Sequence, residues 1–150
     1  ALSCDHLEYL STDGAEKMAA HGTVAVLLPG AFYYLKETRV PPVDIFRRLR
    51  IPMAVATDLN PGSSPVHSMI PILNMACLFF ELTCEEALAG ATIHGAKALG
   101  LADRKGSLEP GKDADFVIWD VASPADLCYL TGITPVKMVV IEGRTEHQSV

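Results

Sequence analysis

A short apolar run that ends in one carboxylate constrains the fold of this chain more than any other feature. Residues 54–57 are apolar or β-branched, Asp58 follows them, and the chain then enters a loop rich in Pro, Gly and Ser at 59–65. Such a sequence is typical of α/β proteins, which place functional side chains at the carboxyl ends of buried strands. Asp58 is therefore the first candidate catalytic residue, although an Asp at this position can also simply cap a turn.

The loop after Asp58 also carries groups that suit a small polar ligand. Asn60 supplies an amide, Ser63 supplies a hydroxyl, and Gly62 allows close approach of the backbone. We therefore interpret these three residues as candidate ligand-binding residues.

Predicted strands and helices alternate along the first hundred residues. The predicted strands cover 2–6, 24–28 and 53–57, and the predicted helices cover 15–20, 43–49, 69–80 and 85–99. The run 24–28 is apolar nearly throughout, as in a parallel strand that is covered on both faces. A long irregular loop is predicted at 31–42. Three parallel strands are too few to close a core, so this pattern predicts an arc of a larger (β/α)₈ barrel.

The character of the chain changes after Gly106. A turn-rich segment leads into an apolar strand that ends near Trp119, and a last strand is predicted at 137–142. We therefore expect two units: an arc of a barrel at 1–104, and a β-rich unit at 105–150.

Charge and hydropathy argue against nucleic-acid and membrane partners. The 150 residues carry a net charge of -6, and the Lys and Arg residues are dispersed, which disfavours a nucleic-acid surface. The most apolar stretch, 69–82, is too short to span a bilayer and is interrupted by Pro71, Asn74 and Glu81. No signal peptide is expected from the first residues.

The cysteines indicate a reducing compartment. Cys4, Cys77, Cys84 and Cys128 form no CxxC pair and show no zinc-binding spacing. We expect all four to be reduced and mostly buried, as in a cytoplasmic protein.

Four segments carry a resemblance to a known family. They are 4–7 (CDHL), 25–31 (AVLLPGA), 57–65 (TDLNPGSSP) and 82–90 (LTCEEALAG). Together they resemble the C-terminal portion of the imidazolonepropionases, metal-dependent hydrolases of the amidohydrolase superfamily. The segment 106–119 resembles the superfamily only. The resemblance implies the last three β/α units of an amidohydrolase-type (β/α)₈ TIM barrel, followed by part of a small β-sandwich domain.

The resemblance also implies an activity and roles for particular residues. The family hydrolyses the ring C–N bond of 4-imidazolone-5-propanoate to N-formimino-L-glutamate in histidine degradation, with one Zn or Fe ion, as a homodimer. Asp58 resembles the carboxylate that binds the metal and accepts a proton from the attacking water. His6 resembles the histidine that hydrogen-bonds that water or the substrate carbonyl. Asn60, Gly62 and Ser63 resemble the loop that holds the polar ring and the propionate.

The other metal ligands of the family have no counterpart in these 150 residues. The His-x-His pair and the ligand-bearing segment of the fifth strand are missing, and no role as replacement ligands is expected for His21, His67, His94 or His147. A catalytic ion needs about three protein ligands, so we expect the isolated chain to bind no stoichiometric divalent metal and to lack activity. Unpaired sheet edges and exposed apolar faces at 24–28 and 53–56 would also make it poorly soluble or oligomeric.

Two other classes of function stay open from the sequence. The first is another amidohydrolase, such as a deaminase or a different cyclic-amide hydrolase, because strand-end His and Asp residues are shared across the superfamily. The second is a catalytically inactive fragment or an interaction module, which the missing ligands favour for the chain alone.

Overall fold

The computed structural model describes residues 1–148, whose strands form two separate three-stranded sheets. The elements of the first part are β1 (Ser3–Cys4), α1 (Thr12–Ala20), β2 (Val24–Leu27), α2 (Pro29–Tyr34), α3 (Val43–Leu49), β3 (Met53–Val55), α4 (Met69–Phe80), α5 (Cys84–Ala91) and α6 (Ile93–Ala98). Those of the second part are β4 (Phe116–Trp119), α7 (Asp126–Tyr129), β5 (Val136–Ile141) and β6 (Arg144–Gln148). Among residues 1–148, no helix is long and apolar enough to cross a membrane.

The first sheet is parallel, with β2 between β1 and β3. The carboxyl ends of β1 and β3 therefore lie at the same edge of the sheet. Both outer strands are shorter than predicted, because the chain leaves the ladder after Cys4 and after Val55. The polar residues that follow these strands belong to loops and not to the strands themselves.

The helices depart from the predictions at three places. Helix α4 has the predicted bounds, but α1 begins earlier, because the Ser11 side chain caps it by accepting a hydrogen bond from the Gly14 N–H at 3.1 Å. The predicted loop at 31–42 is wrong in its first part, which belongs to α2. This helix starts at Pro29, whose fixed φ suits a first helical position. The predicted helix 85–99 is broken at Thr92 (φ -119°, ψ -95°) into α5 and α6.

The second sheet is antiparallel, in the order β4-β5-β6. Strand β5 covers the predicted strand with a shift of one residue. Strand β6 was not predicted, because its side chains are all exposed and show no apolar alternation. A tight turn at Glu142 and Gly143, with φ of +49° and +75°, joins the two strands. Two successive residues with positive φ are typical of a type I′ hairpin.

The expected exposure of the apolar strands is wrong. The side chains of Val24, Leu27, Met53 and Val55 are all buried, since helices of the same chain cover them. Helix α5 approaches so closely that a Cβ on Gly90 would lie 3.0 Å from the Met53 carbonyl oxygen. The expectation of poor solubility therefore loses the support of exposed strand faces.

Part of the open edge of β3 is also covered. The Pro52 carbonyl oxygen accepts the Ala25 N–H of β2, and the Ala56 N–H donates to the Leu27 carbonyl oxygen of β2. Since alternate residues of a parallel strand bond to the same neighbour, the backbone groups of Met53 face away from β2. The Nδ1 atom of His94 in α6 lies 3.1 Å from the Met53 carbonyl oxygen. A strand edge that is partly occupied in this way is less available for pairing with another chain.

An ion pair joins α3 to the start of α5. The Arg47 guanidinium donates from Nε to Glu86 Oε1 at 2.8 Å and from Nη2 to Glu86 Oε2 at 2.7 Å. In the sequence, Thr83 followed three residues later by Glu86 predicts a capping box at the start of α5. The structure confirms it, since the same carboxylate accepts the Thr83 N–H at 2.9 Å. The hydrogen bonds from Arg47 are the main reason that the pKa of Glu86 is lowered, and Glu86 in turn raises the pKa of Arg47.

We expect Glu86→Gln to destabilise the fold by about 1 kcal/mol at pH 7, the usual scale for a helix cap or a charge-assisted hydrogen bond. Because the pKa of Glu86 is lower in the folded state, its contribution is present above the unfolded-state pKa. It is lost as the pH falls through the folded-state value. Urea unfolding at pH 7 and at about pH 3.5 should show the difference between wild type and variant shrinking at low pH. Glu85→Gln, an exposed change in the same helical turn, is the matched control, and equal effects of the two variants would contradict the account.

Candidate active site

The two predicted catalytic residues follow strands that end at the same edge of the parallel sheet. His6 lies two residues beyond β1, and Asp58 lies three residues beyond β3. Because β2 separates these strands, their ends are two strand spacings apart, about 10 Å. An edge of this kind is where α/β proteins assemble their sites.

Both residues have an unusual backbone conformation. His6 has a φ of +52° and Asp58 a φ of +48°, the left-handed region that few non-glycine residues adopt. The Asp58 side chain is half-buried and that of His6 is exposed. Non-glycine residues held in this region often lie at functional sites, where surrounding contacts fix them.

The Asn60 side chain organises the loop after Asp58. Its Nδ2 donates to the Asp58 carbonyl oxygen at 2.7 Å and to Ser63 Oγ at 3.0 Å. Its Oδ1 accepts the N–H groups of Gly62 and Ser63, both at 2.8 Å. Every polar atom of the Asn60 amide is thus engaged inside the loop, which fixes Asp58 and Ser63 relative to one another.

A second contact, which the sequence did not suggest, fastens this loop to the β2–α2 junction. Ser64 is fully buried, and its hydroxyl donates to the Thr57 carbonyl oxygen. A Cβ added to Gly30 would lie 2.5 Å from Ser64 Oγ and 3.4 Å from the Thr57 carbonyl oxygen. Only glycine leaves room for this packing. Gly30 and Ser64 both belong to the segments that carry the family resemblance, but the sequence does not reveal that they touch.

An open cleft of about 500 Å³ borders the same loop. It is lined by Leu59, Asn60, Pro61, Pro65 and His67. Its walls are mainly apolar, and neither Asp58 nor His6 lines it. We therefore do not assign this cleft to the chemistry of Asp58.

The described residues do not form a complete metal centre around Asp58. Within 1–148, no group of three potential His, Cys, Asp or Glu ligands includes Asp58. The Nδ1 atom of His21 lies near the Lys17 carbonyl oxygen, and that of His94 lies near the Met53 carbonyl oxygen. Asp58 can supply one oxygen ligand, whereas a catalytic ion needs about three protein ligands.

Comparison with known proteins identifies the class. The chain belongs to the amidohydrolase family, whose sequence pattern matches residues 4–145. Within that family it is 53% identical to an imidazolonepropionase of Shewanella baltica over 148 residues, which are 99% of this chain and 36% of the relative. An imidazolonepropionase of Shewanella putrefaciens matches with the same identity and coverage. The predicted resemblance is thereby confirmed, and the chain spans little more than a third of these relatives' length.

Solved structures confirm the mixed α/β fold of the family. An adenosine deaminase from Xanthomonas campestris with bound zinc superposes with a TM-score of 0.86 at 26% identity, over 96% of this chain and 36% of that one. The guanine deaminase of E. coli superposes with a TM-score of 0.80 at 21% identity, over 99% of this chain and 39% of that one. The TM-scores establish the fold, whereas identities this low do not assign a substrate.

Proposed function

We propose that this chain is the C-terminal third of an imidazolonepropionase. The protein would hydrolyse the ring C–N bond of 4-imidazolone-5-propanoate to N-formimino-L-glutamate in histidine degradation. The observation that carries the proposal is the 53% identity to the Shewanella relatives over 99% of the chain. In this proposal residues 1–104 are the last three β/α units of a TIM barrel and residues 105–150 are part of a β-sandwich domain. The complete protein acts in the cytoplasm as a homodimer, on a small molecule, without nucleic-acid or membrane partners.

Asp58 acts as the proton acceptor in this proposal. Its carboxylate lies just beyond β3, half-buried, with its backbone held by the Asn60 amide at 2.7 Å. A carboxylate fixed in this way can take a proton from an attacking water molecule. His6, exposed beyond β1 at the same edge, can hydrogen-bond that water or the ring carbonyl of the substrate.

The loop residues bind the polar parts of the substrate in this proposal. Ser63 offers its hydroxyl and Gly62 offers close backbone approach, while Asn60 acts mainly by holding the loop. We therefore assign to Asn60 a positioning role that the sequence alone did not separate from direct binding.

A metal ion, Zn or Fe, belongs to the complete protein. Asp58 supplies one of its ligands, and the remaining ligands come from sequence outside this chain. The bound zinc of the Xanthomonas adenosine deaminase supports a metal in a relative of the same fold. Because the described residues alone do not fit the ion, we assign no catalytic step to it here.

A substrate panel tests the proposed function against other amidohydrolase activities. The test protein joins this chain to the preceding portion of the Shewanella baltica relative, and we call it the completed protein. Its kcat/KM should be highest for 4-imidazolone-5-propanoate, with no measurable turnover of adenosine or guanine. Preferred turnover of adenosine or guanine would show that the protein is a deaminase and would overturn the proposal.

We expect Ser63→Ala in the completed protein to raise KM about fivefold with little change in kcat. The hydroxyl contributes a hydrogen bond worth about 1 kcal/mol to ground state and transition state alike. Steady-state kinetics with 4-imidazolone-5-propanoate measures both parameters. Asn60→Ala serves as the contrast, because loss of the loop contacts should lower kcat as well. If Ser63→Ala lowered kcat while KM held, Ser63 would have a chemical role.

A further inference from the structure

Three cysteines on α4, α5 and α7 converge, and none of them belongs to the loop that carries Asp58. Cys77 lies in α4, Cys84 is the first residue of α5, and Cys128 lies in α7. Their sulfur atoms all lie within 4.8 Å of one another. We propose that this cysteine triad is a binding site for a thiophilic metal ion such as Zn²⁺, held by three thiolates.

The geometry of the triad matches such a site closely. Zn–S bonds of about 2.3 Å place tetrahedrally arranged sulfur atoms about 3.8 Å apart. Sulfur atoms within 4.8 Å therefore need to approach by at most about 1 Å, a change that side-chain rotation can supply. A disulfide would require two of them to reach about 2.0 Å. Three protein ligands leave a fourth position for water.

The chain holds Cys128 in place independently of any ion. The Asn74 side chain in α4 donates from Nδ2 to the Cys128 carbonyl oxygen at 2.8 Å. The Cys128 sulfur lies 3.9 Å from the Cys84 carbonyl oxygen. At the entrance to α7, the Asp126 carboxylate accepts the N–H groups of Ala122 and Ser123, both at 3.0 Å. A ligand set that is already positioned loses little conformational freedom when it binds.

The chemistry of the ligands selects the kind of ion. Within 1–148, the triad contains sulfur ligands only, a set that favours soft ions such as Zn²⁺ or Cu⁺ over Mg²⁺ or Ca²⁺. Cys128 is buried, whereas Cys77 and Cys84 are half-buried, so an ion can enter from solvent. Besides burial, the negative charge of Glu86 raises the pKa of the Cys77 thiol. This carboxylate forms an ion pair with Arg47.

Burial favours the protonated form of two thiols in the metal-free triad, those of Cys77 and Cys128, because it raises the pKa of both. Binding would form three Zn–S bonds, and each thiol that becomes a thiolate ligand would release its proton to solvent, with no change of oxidation state. The bound ion would tie α7, which lies between β4 and β5, to two helices of the first unit.

The cysteine triad was not predicted as a metal site from the sequence. The spacing of the cysteines predicted no metal centre, and the isolated chain was expected to bind no stoichiometric divalent ion. Both stay predictions against which the proposal is tested. The expectation that the cysteines are mostly buried is wrong, because Cys128 is buried, Cys77 and Cys84 are half-buried and Cys4 is exposed. The proposal concerns this chain alone and does not depend on the proposed hydrolase activity.

The test uses the 150-residue chain, reduced, stripped with a chelator and titrated with Zn²⁺ without oxygen. Equilibrium dialysis should find one tightly bound Zn²⁺ per chain, and X-ray absorption should count three sulfur atoms at about 2.3 Å. Cys77→Ser and Cys84→Ser should each weaken binding by at least about 100-fold. Cys4→Ser, which removes the exposed thiol outside the triad, should leave affinity and sulfur count unchanged, as should Asp58→Asn.

Thermal unfolding checks that the variants still fold. Zn²⁺ should raise the Tm of wild type and of Cys4→Ser but not that of Cys77→Ser, because an ion that binds only the folded state stabilises it. The half-buried Cys77 is preferred to Cys128 for this purpose, since a change at the buried residue also disturbs packing. A sulfur count of one or none, unchanged binding in Cys77→Ser, or equal loss in Cys4→Ser would overturn the proposal.

Discussion

Replacing Asp58 by Asn in the completed protein should lower kcat/KM for 4-imidazolone-5-propanoate by several orders of magnitude. Loss of a general base alone costs about 10²–10⁴-fold, and the same change removes a proposed metal ligand. Asn is the sharper substitution, because Asn tolerates the left-handed backbone that Asp58 adopts at φ +48°. The backbone should therefore persist while the carboxylate is lost.

The control for this variant is a change of the same kind elsewhere. Asp103→Asn removes an exposed carboxylate from the segment that follows α6 and should leave kcat/KM within about twofold of wild type, as is usual for surface changes. Circular dichroism of both variants checks that the fold is kept. Near-normal turnover by Asp58→Asn would remove the basis for assigning the proton acceptor to this residue.

The isolated 150-residue chain should show no hydrolysis of 4-imidazolone-5-propanoate above the rate in buffer. It offers Asp58 as a single ligand where a catalytic ion needs about three, so added Zn²⁺ should not restore turnover even if the cysteine triad is filled. The completed protein, assayed at the same concentration, provides the positive control. Turnover by the isolated chain would show that other groups within it complete the site.

The local features of the fold could be predicted from the sequence. Helix α4 has the predicted bounds, and the capping box of Thr83 and Glu86 lies where the pattern placed it. The strand that leads to Asp58 was likewise predicted, because an apolar run followed by a Pro/Gly loop leaves few alternatives. These signals depend on residues close together in the chain.

Features that depend on distant residues could not be predicted in this way. Strand β6 exists because it pairs with β5, although its own sequence is polar throughout. The contact of Gly30 with Ser64 and the convergence of Cys77 with Cys128 arise only when separate elements pack together. The apolar strands were expected to be exposed because the covering by α5 and α6 was not foreseen. The roles that the family resemblance assigns to Asp58, His6, Asn60, Gly62 and Ser63 all stay predictions.

The most direct test of the central claim is the identity of the product that the completed protein forms in ¹⁸O-labelled water. Hydrolysis of the ring C–N bond of 4-imidazolone-5-propanoate should give N-formimino-L-glutamate with one ¹⁸O atom in the new carboxylate, both ring nitrogens retained, and no ammonia. Mass spectrometry and an ammonia assay on the same sample measure all three quantities. Release of ammonia, or recovery of unchanged substrate under conditions in which the Shewanella baltica relative is active, would contradict the assignment.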